Sequence, residues 1–108
     1  MKKETRIGEK IRRHMYDDYG TILHKNHGGA FGETGAADYY GTLPGGRAIY
    51  IELKTPDTIK KKSSRRSYQE AWLRREAALG AFTCVVASYE ELHTVLSQEE
   101  GLKPLIGF

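Results

Sequence analysis

Two carboxylates and an amine stand at a spacing that suits metal-assisted hydrolysis of a phosphodiester. Asp38 is followed, after thirteen residues, by Glu52-Leu53-Lys54 at the end of a segment that alternates apolar and polar residues. Side chains of a β-strand alternate between its faces, so this segment predicts one face with Ile49, Ile51 and Leu53, and another with Tyr50, Glu52 and Lys54. Glu52 and Lys54 are therefore expected to point the same way.

These residue types predict a site for a hard divalent cation. Such a cation prefers oxygen ligands and retains several waters, and Asp38 and Glu52 would supply two carboxylates. Lys54 could then orient a metal-activated water or offset negative charge on the reacting phosphate. A simpler alternative is open at this point: Asp38 could form a surface salt bridge with Lys54 or Arg47, which would have little energetic value.

Periodicity and turn residues predict an α/β fold that brings the two carboxylates together. The predicted elements, in the order αβββαβα, are a helix over 5–19, strands over 21–25, 36–40 and 49–54, a helix over 67–79, a strand over 82–87 and a helix over 89–96. The Pro-Gly-Gly turn near residue 45 should make the second and third strands an antiparallel hairpin, with Asp38 beside Glu52. The helical crossover makes the last strand parallel to its partner, giving a central mixed sheet of about four strands flanked by helices.

Within the second helix the expected packing residues are Tyr68, Trp72, Leu73, Ala77 and Leu79. Ser67 is the expected N-cap of that helix, with Glu70 at the capping-box position. Ser88 is the expected cap of the last helix.

Length and composition limit the classes of protein to consider. A chain of 108 residues forms one domain, here residues 1–108. Its single cysteine, Cys84, lies in an apolar run and is expected to pack in a core strand rather than act as a nucleophile. No run approaches the roughly eighteen apolar residues of a membrane span, so we expect no membrane association and an intracellular, cytoplasmic location.

Positive charge is concentrated in the N-terminal part of the chain. Residues 1–66 carry 14 Lys and Arg against 8 Asp and Glu, while residues 67–108 carry 3 against 6. The segment 55–66 is predicted to be an exposed loop that contacts phosphates through Lys60, Lys61, Lys62, Arg65 and Arg66. The alternative is a solvated loop that serves only solubility.

Several motifs together resemble the virus-type replication-repair nuclease (VRR-NUC) domain, a branch of the PD-(D/E)xK restriction-endonuclease-like superfamily. They are Gly35-Ala36-Ala37-Asp38, Ile51-Glu52-Leu53-Lys54, Ser67 to Leu73, and Cys84 to Ser88 with Gly80 before it. The resemblance covers about residues 4–97, and the combination of Asp38, Glu52-Leu53-Lys54 and Gln69 is far more specific than any single piece.

The resemblance implies a role for each matching position. Asp38, Glu52 and the main-chain carbonyl of Leu53 would bind Mg²⁺ or Mn²⁺, and Lys54 would be the catalytic lysine. Gln69, on the following helix, would steady the water or Lys54. An acidic residue of the first helix usually joins such a site. Glu4 is preferred for its position before Ile7, with Glu9 as the rival and a solvated helix-terminal carboxylate as the alternative.

Two features depart from the family pattern. Ala37 stands where a proline usually precedes the first aspartate, which removes a restraint on φ but no ligand. The stretch between Lys54 and Gln69 is longer than usual and contains the basic residues. Neither departure removes a residue that the chemistry needs.

The implied activity is that of a metal-dependent endonuclease on DNA. For stand-alone members of this size, of phage or bacterial type, the resemblance implies a homodimer that cuts branched DNA such as four-way junctions. One alternative is the same fold acting on flaps, nicks or DNA in general. Another is a catalytically silent nucleic-acid-binding module.

Overall fold

The computed structural model of the chain describes residues 3–26, 37–55 and 64–99. Within these ranges it contains helices α1 (Lys3–Tyr19), α2 (Ser64–Ala78) and α3 (Tyr89–Ser97), and strands β1 (His24–Lys25), β2 (Tyr39–Thr42), β3 (Ala48–Leu53) and β4 (Phe82–Val86). The order of elements is the predicted αβββαβα.

The strands form one mixed sheet in the order β1-β2-β3-β4. The β1–β2 and β2–β3 pairs are antiparallel, and β3 pairs in parallel with β4 through the α2 crossover. Tyr39 lies opposite Ile51 in the β2–β3 register. The paired register ends there, and Asp38 and Glu52 are the next residues of the two chain segments.

Strand β3 is covered on both faces, and its alternation decides which helix each side chain meets. Ile49, Ile51 and Leu53 belong to the main core, which also contains apolar residues of α1 and α3. Tyr50, on the other face, packs with Trp72 and Leu73 of α2. The Tyr50 and Trp72 rings meet edge to face, with centroids 4.7 Å apart. The predicted separation of the two faces is therefore confirmed.

Residues next to three element boundaries predicted those boundaries correctly. Gly20 ends α1 with a positive φ of 69°, and its N–H donates to the carbonyl of Tyr16 at 2.9 Å. The hairpin turn uses Gly45 and Gly46, both with φ near +90°, a conformation that costs a glycine little. The Ser88 side chain caps α3 by accepting from the N–H of Glu91.

Helix α2 differs from the prediction at both ends. It begins at Ser64, so Ser67 lies inside the helix and is not its N-cap. Arg65 and Arg66 are good helix formers, and this favours the longer helix over a basic loop that reaches residue 66. Of the expected packing residues, Trp72 and Leu73 are buried, but Tyr68, Ala77 and Leu79 are exposed. The buried stripe is Gln69, Trp72 and Leu73, and the three exposed residues fall outside it.

The first two strands are also shifted. The expected strand over 21–25 is reduced to His24–Lys25, and the strand expected over 36–40 lies at Tyr39–Thr42. No helix in the described ranges is long and apolar enough to cross a bilayer.

Gly8 allows α1 to lie directly against the sheet. A Cβ at this position would overlap the hydroxyl of Tyr39 and lie only 2.9 Å from its Cζ. Tyr39 is itself 5% exposed, so its ring has little room to move away. The absence of a side chain at Gly8 thus sets the distance between α1 and β2.

We expect Gly8→Ala to lower the free energy of unfolding by about 1–3 kcal/mol, because the added methyl overpacks the contact with Tyr39. In an unobstructed helix the same change would stabilise by about 1 kcal/mol, so the sign of the effect is diagnostic. Urea denaturation of Gly8→Ala measures it. In a Tyr39→Leu background, which removes the ring, the penalty should disappear; a persistent penalty would mean that another contact is responsible.

Candidate active site

Asp38 is held from two sides at the point where β2 begins. Its carbonyl accepts a hydrogen bond from the Asn26 N–H at 2.8 Å, which extends the pairing of β1 and β2. Its carboxylate Oδ2 accepts from the Leu53 N–H at 2.9 Å. The N–H and C=O of one strand residue point to the same side, so the Leu53 carbonyl is directed towards the same sheet edge as the Asp38 carboxylate. Two of the predicted ligands are thereby next to each other.

Glu52 is buried on the opposite side of β3 from Leu53, towards α2. Only 1% of the residue is exposed. Its Oε2 atom is buried, and the residue takes part in a polar or electrostatic interaction within the protein. Burial of a carboxylate carries a large desolvation cost, which a bound cation would offset.

Lys54 and Gln69 are joined as the family resemblance implies. The Lys54 ammonium donates to Oε1 of Gln69 at 3.0 Å, and Gln69 is 5% exposed on the buried stripe of α2. The main chain of Lys54 is fixed as well, because its N–H donates to the Val86 carbonyl at 3.0 Å. An ammonium group has three donors, so this bond leaves two more for a phosphate or a water.

Glu4 lines a cleft of about 320 Å³ that we call the first cleft. Its lining consists of Glu4, Thr5, Lys25, Asp38, Tyr39 and Leu53. Glu9 is absent from this lining and borders a different cleft. Between the two candidates of the first helix, the geometry favours Glu4.

The predicted residues thus form two groups around the end of β3. Asp38, Leu53 and Glu4 share the first cleft, whereas Glu52, Lys54 and Gln69 lie on the α2 side of the sheet. The backbone of residues 52–54 connects the groups.

The donor atoms fit a hard divalent cation. Within the described ranges no three His, Cys, Asp or Glu side chains are close enough together to bind an ion by themselves. The predicted set does not require three, because it combines Asp38, Glu52 and the Leu53 carbonyl. All three donate through oxygen, and Mg²⁺ commonly completes such a set with waters and substrate phosphate.

The salt-bridge alternative for Asp38 is wrong. Arg47 donates to the Gly80 carbonyl at 2.9 Å and to Glu99 at 3.1 Å. It lies just before β3, whereas Asp38 meets the last residue of that strand, Leu53. Lys54 is hydrogen-bonded to Gln69.

The basic residues of the intervening segment are only partly placed. Lys60, Lys61 and Lys62 lie outside the described residues. Positions 65 and 66 lie in the first turn of α2, so the two arginines belong to a helix rather than to the predicted loop. Their contact with phosphate remains a prediction.

Three residues that line the first cleft were not predicted to belong to the site: Thr5, Lys25 and Tyr39. Burial raises the pKa of Tyr39, and the neighbouring Asp38 carboxylate raises it further. The hydroxyl therefore stays protonated at neutral pH and can donate a hydrogen bond. Tyr39 directly follows Asp38 in the sequence, but the alternation of strand residues does not show whether Tyr39 or Tyr40 faces α1; in the structure Tyr39 does.

Cys84 takes no part in this site. It packs against the main core, and burial raises the pKa of its thiol to about 12. A thiol with that pKa contains almost no thiolate near pH 7, as expected for a structural cysteine.

Comparison with known proteins supports the same architecture. A solved structure described as a VRR_NUC domain superimposes with a TM-score of 0.68 and 22% sequence identity, over 91% of this chain and 98% of that chain. No family model and no curated protein matches the sequence significantly. At this level of identity the likeness shows the fold, and it confirms the α/β, restriction-endonuclease-like fold expected from the sequence motifs.

Replacing Asp38 separates its structural role from its chemical one. Asp38→Ala should lower the free energy of unfolding by about 1–2 kcal/mol, because the partly buried Leu53 N–H loses its acceptor. Asp38→Asn keeps an amide oxygen for that N–H and should cost less. Urea denaturation of both variants is the measurement, with exposed Asp17→Ala as the control for loss of charge. Equal stability of Asp38→Ala and the wild type would show that the hydrogen bond contributes nothing.

Proposed function

We propose that this chain is a metal-dependent endonuclease that hydrolyses phosphodiester bonds in DNA. The observation that carries the proposal is the arrangement at the end of β3, where Asp38 is bonded to the Leu53 N–H and Lys54 to Gln69. The VRR_NUC fold is consistent with it. Oxygen donors and the ammonium of Lys54 would then lie within three consecutive residues, 52–54, at and just after the end of β3.

Asp38, Glu52 and the Leu53 carbonyl would hold Mg²⁺ or Mn²⁺. The ion would supply charge neutralisation at the phosphate and a more acidic water. The hydrogen bond from Leu53 N–H fixes the Asp38 carboxylate before substrate arrives, and such preorganisation avoids a reorganisation cost during the reaction. Glu4 would add a carboxylate from α1 on the first-cleft side.

Lys54 would act on the phosphate or on the attacking water. Gln69 accepts a hydrogen bond from one of the three N–H groups of the Lys54 ammonium, and this bond restricts where the ammonium can lie. Because Gln69 is a neutral amide, it can hold Lys54 without neutralising its charge. We therefore assign Gln69 as a positioning residue and Lys54 as the catalytic residue.

The substrate is proposed to be branched DNA cut by a homodimer, as the family resemblance implies. Two copies related by a two-fold axis would present two cleavage sites to a symmetric junction. Flaps, nicks or DNA in general are the alternative substrates for the same site. A catalytically silent binding module is less favoured, because burying Glu52 and fixing Lys54 at Gln69 costs free energy that simple DNA binding does not require.

Lys54→Ala tests catalysis directly. We expect the cleavage rate to fall by at least about 100-fold, as for other preorganised transition-state donors, while DNA affinity measured in chelator changes little. Gln69→Leu should cause a smaller loss, since Lys54 is retained but is less restrained. The assay uses labelled four-way junction, flap, nicked and plain duplex DNA with Mg²⁺, with Mn²⁺ and with chelator.

Arg74→Gln, an exposed position on α2, is the matched control for loss of one positive charge. Wild-type cleavage by Lys54→Ala would place the catalytic centre elsewhere. Absence of metal-dependent cleavage by the wild type on every substrate, with binding retained, would favour the silent module.

The basic segment is tested by the salt dependence of binding. Replacing Lys60, Lys61 and Lys62 with Ala should reduce the slope of log affinity against log salt by roughly 2 to 3, if each lysine neutralises one phosphate. Fluorescence anisotropy of labelled duplex DNA in chelator, at several salt concentrations, gives the slope. An unchanged slope would assign the segment to solubility alone.

A further inference from the structure

A second cleft, of about 410 Å³, lies along α1 beyond the first. Its lining consists of Glu9, Arg12, Arg13, Tyr16, Ile22 and Leu23. The volume is in the range of sites for small organic ligands, about 300–1,000 Å³, and is sufficient for a nucleotide. None of these residues lines the first cleft.

The two arginines of this cleft are available for an anionic ligand. Arg12 and Arg13 are exposed, and neither forms an ion pair within the described part of the chain. Their neighbour Lys10, in contrast, is paired with Glu90 at 2.7 Å. The cleft also contains one carboxylate, Glu9, so its formal charge is positive by one unit.

Exposed apolar surface accompanies this charge. Tyr16 is 47% exposed, and Ile22, on the opposite wall, is 60% exposed. An aromatic ring in the same cleft as two guanidinium groups is a combination suited to single-stranded nucleic acid, because a base can stack on the ring while the cations contact phosphates. A duplex would keep its bases stacked on each other and could use only the arginines.

The second cleft lies along two segments that also border the first. On α1, Thr5 borders the first cleft, and Glu9, Arg12, Arg13 and Tyr16 follow it on one helical stripe. On the other wall, Leu23 borders the second cleft and Lys25 borders the first. His24, which lies between them, is exposed. The same two segments therefore form the walls of both clefts.

The separation of the clefts corresponds to a few nucleotides. Glu4 and Arg12 are eight residues apart on α1, or about 12 Å at the helical rise per residue. An unpaired strand is more extended than a strand of B-form DNA, whose phosphates are spaced about 3.4 Å apart along the axis, so this distance spans at most about three of them.

We propose that the second cleft binds an unpaired strand of the DNA substrate, a few nucleotides from the bond that is cut. Arg12 and Arg13 contact its phosphates, and one base stacks on Tyr16 against Ile22. The inference rests on the proposed nuclease function and extends it. Among the substrates considered there, it favours flaps and other DNA with a single-stranded branch or overhang over fully paired four-way junctions and continuous duplex.

Binding measured without catalysis tests this assignment. The probe is a labelled oligothymidylate of about 12 nucleotides, within the usual range of single-strand site sizes, used in chelator. Tyr16→Leu should weaken its binding about tenfold, the size of one lost base stack, whereas Tyr16→Phe should bind as the wild type does. Arg12→Gln/Arg13→Gln should reduce the salt slope by about 1.4, or 0.7 for each phosphate contact on a single strand.

Two controls separate this site from a general charge effect. Arg74→Gln removes one positive charge on the other face of the sheet, half of the loss in the double arginine variant, and should bind like the wild type. Blunt duplex, measured in parallel, should lose much less affinity than the single strand in Tyr16→Leu. Circular dichroism establishes that each variant is folded.

Several results would overturn the inference: wild-type affinity in both Tyr16→Leu and the double arginine variant, an equal loss for blunt duplex, or the same defect in Tyr16→Phe as in Tyr16→Leu. The binding results and the cleavage results can be told apart. Cleavage that depends on Lys54, together with unaffected binding in the second-cleft variants, would reject this inference alone. Specific single-strand binding without any cleavage would reject the nuclease and retain the binding site.

Discussion

The hydrogen bond from the Leu53 N–H to the Asp38 carboxylate is the interaction on which the arrangement of the site depends. The ladder between β2 and β3 stops at Tyr39, and the Asp38 side chain takes over as the next acceptor for β3. A strand end without such an acceptor would leave a partly buried donor unsatisfied, at a cost of about 1–3 kcal/mol. The carboxylate therefore stabilises the sheet edge and is held where a cation could use its other oxygen.

Burial of both faces of β3 explains why the strand can carry two sets of functional groups. Its first face anchors the main core through Ile49, Ile51 and Leu53, and its second packs on α2. Neither Glu52 nor Lys54 can move without disturbing a packed layer, and the bond to Gln69 ties Lys54 to the helix that forms that layer. Rigid elements on both sides are the condition for preorganised chemistry.

Where the signal was local, the sequence predicted the structure well. Alternation in β3, Gly20 after α1, the Gly45-Gly46 turn and the Ser88 cap each depend on residues within one or two turns of the feature. One local signal was wrong, because Ser67 lies inside α2 and is not its N-cap. The other errors arose where tertiary contacts decide. Leu79 is as apolar as Leu73 but lies beyond the stripe of α2 that meets the sheet, so only the packed structure distinguishes them. Likewise, no periodicity shows that Thr5 and Lys25 share a cleft with Asp38, because this requires α1 and β1 to be docked.

Helix α1 connects the stability of the fold to both clefts. Its buried stripe, which includes Gly8, Ile11 and Met15, sets the rotation of the helix against the sheet. That rotation in turn directs Glu4 into the first cleft. It also places the stripe that runs from Glu9 to Tyr16 along the second cleft. Because Tyr39 both contacts Gly8 and lines the first cleft, a change in the packing of α1 would also move a wall of the site. The close approach at Gly8 thus constrains function as well as packing, although no atom of Gly8 is a candidate for contact with the substrate.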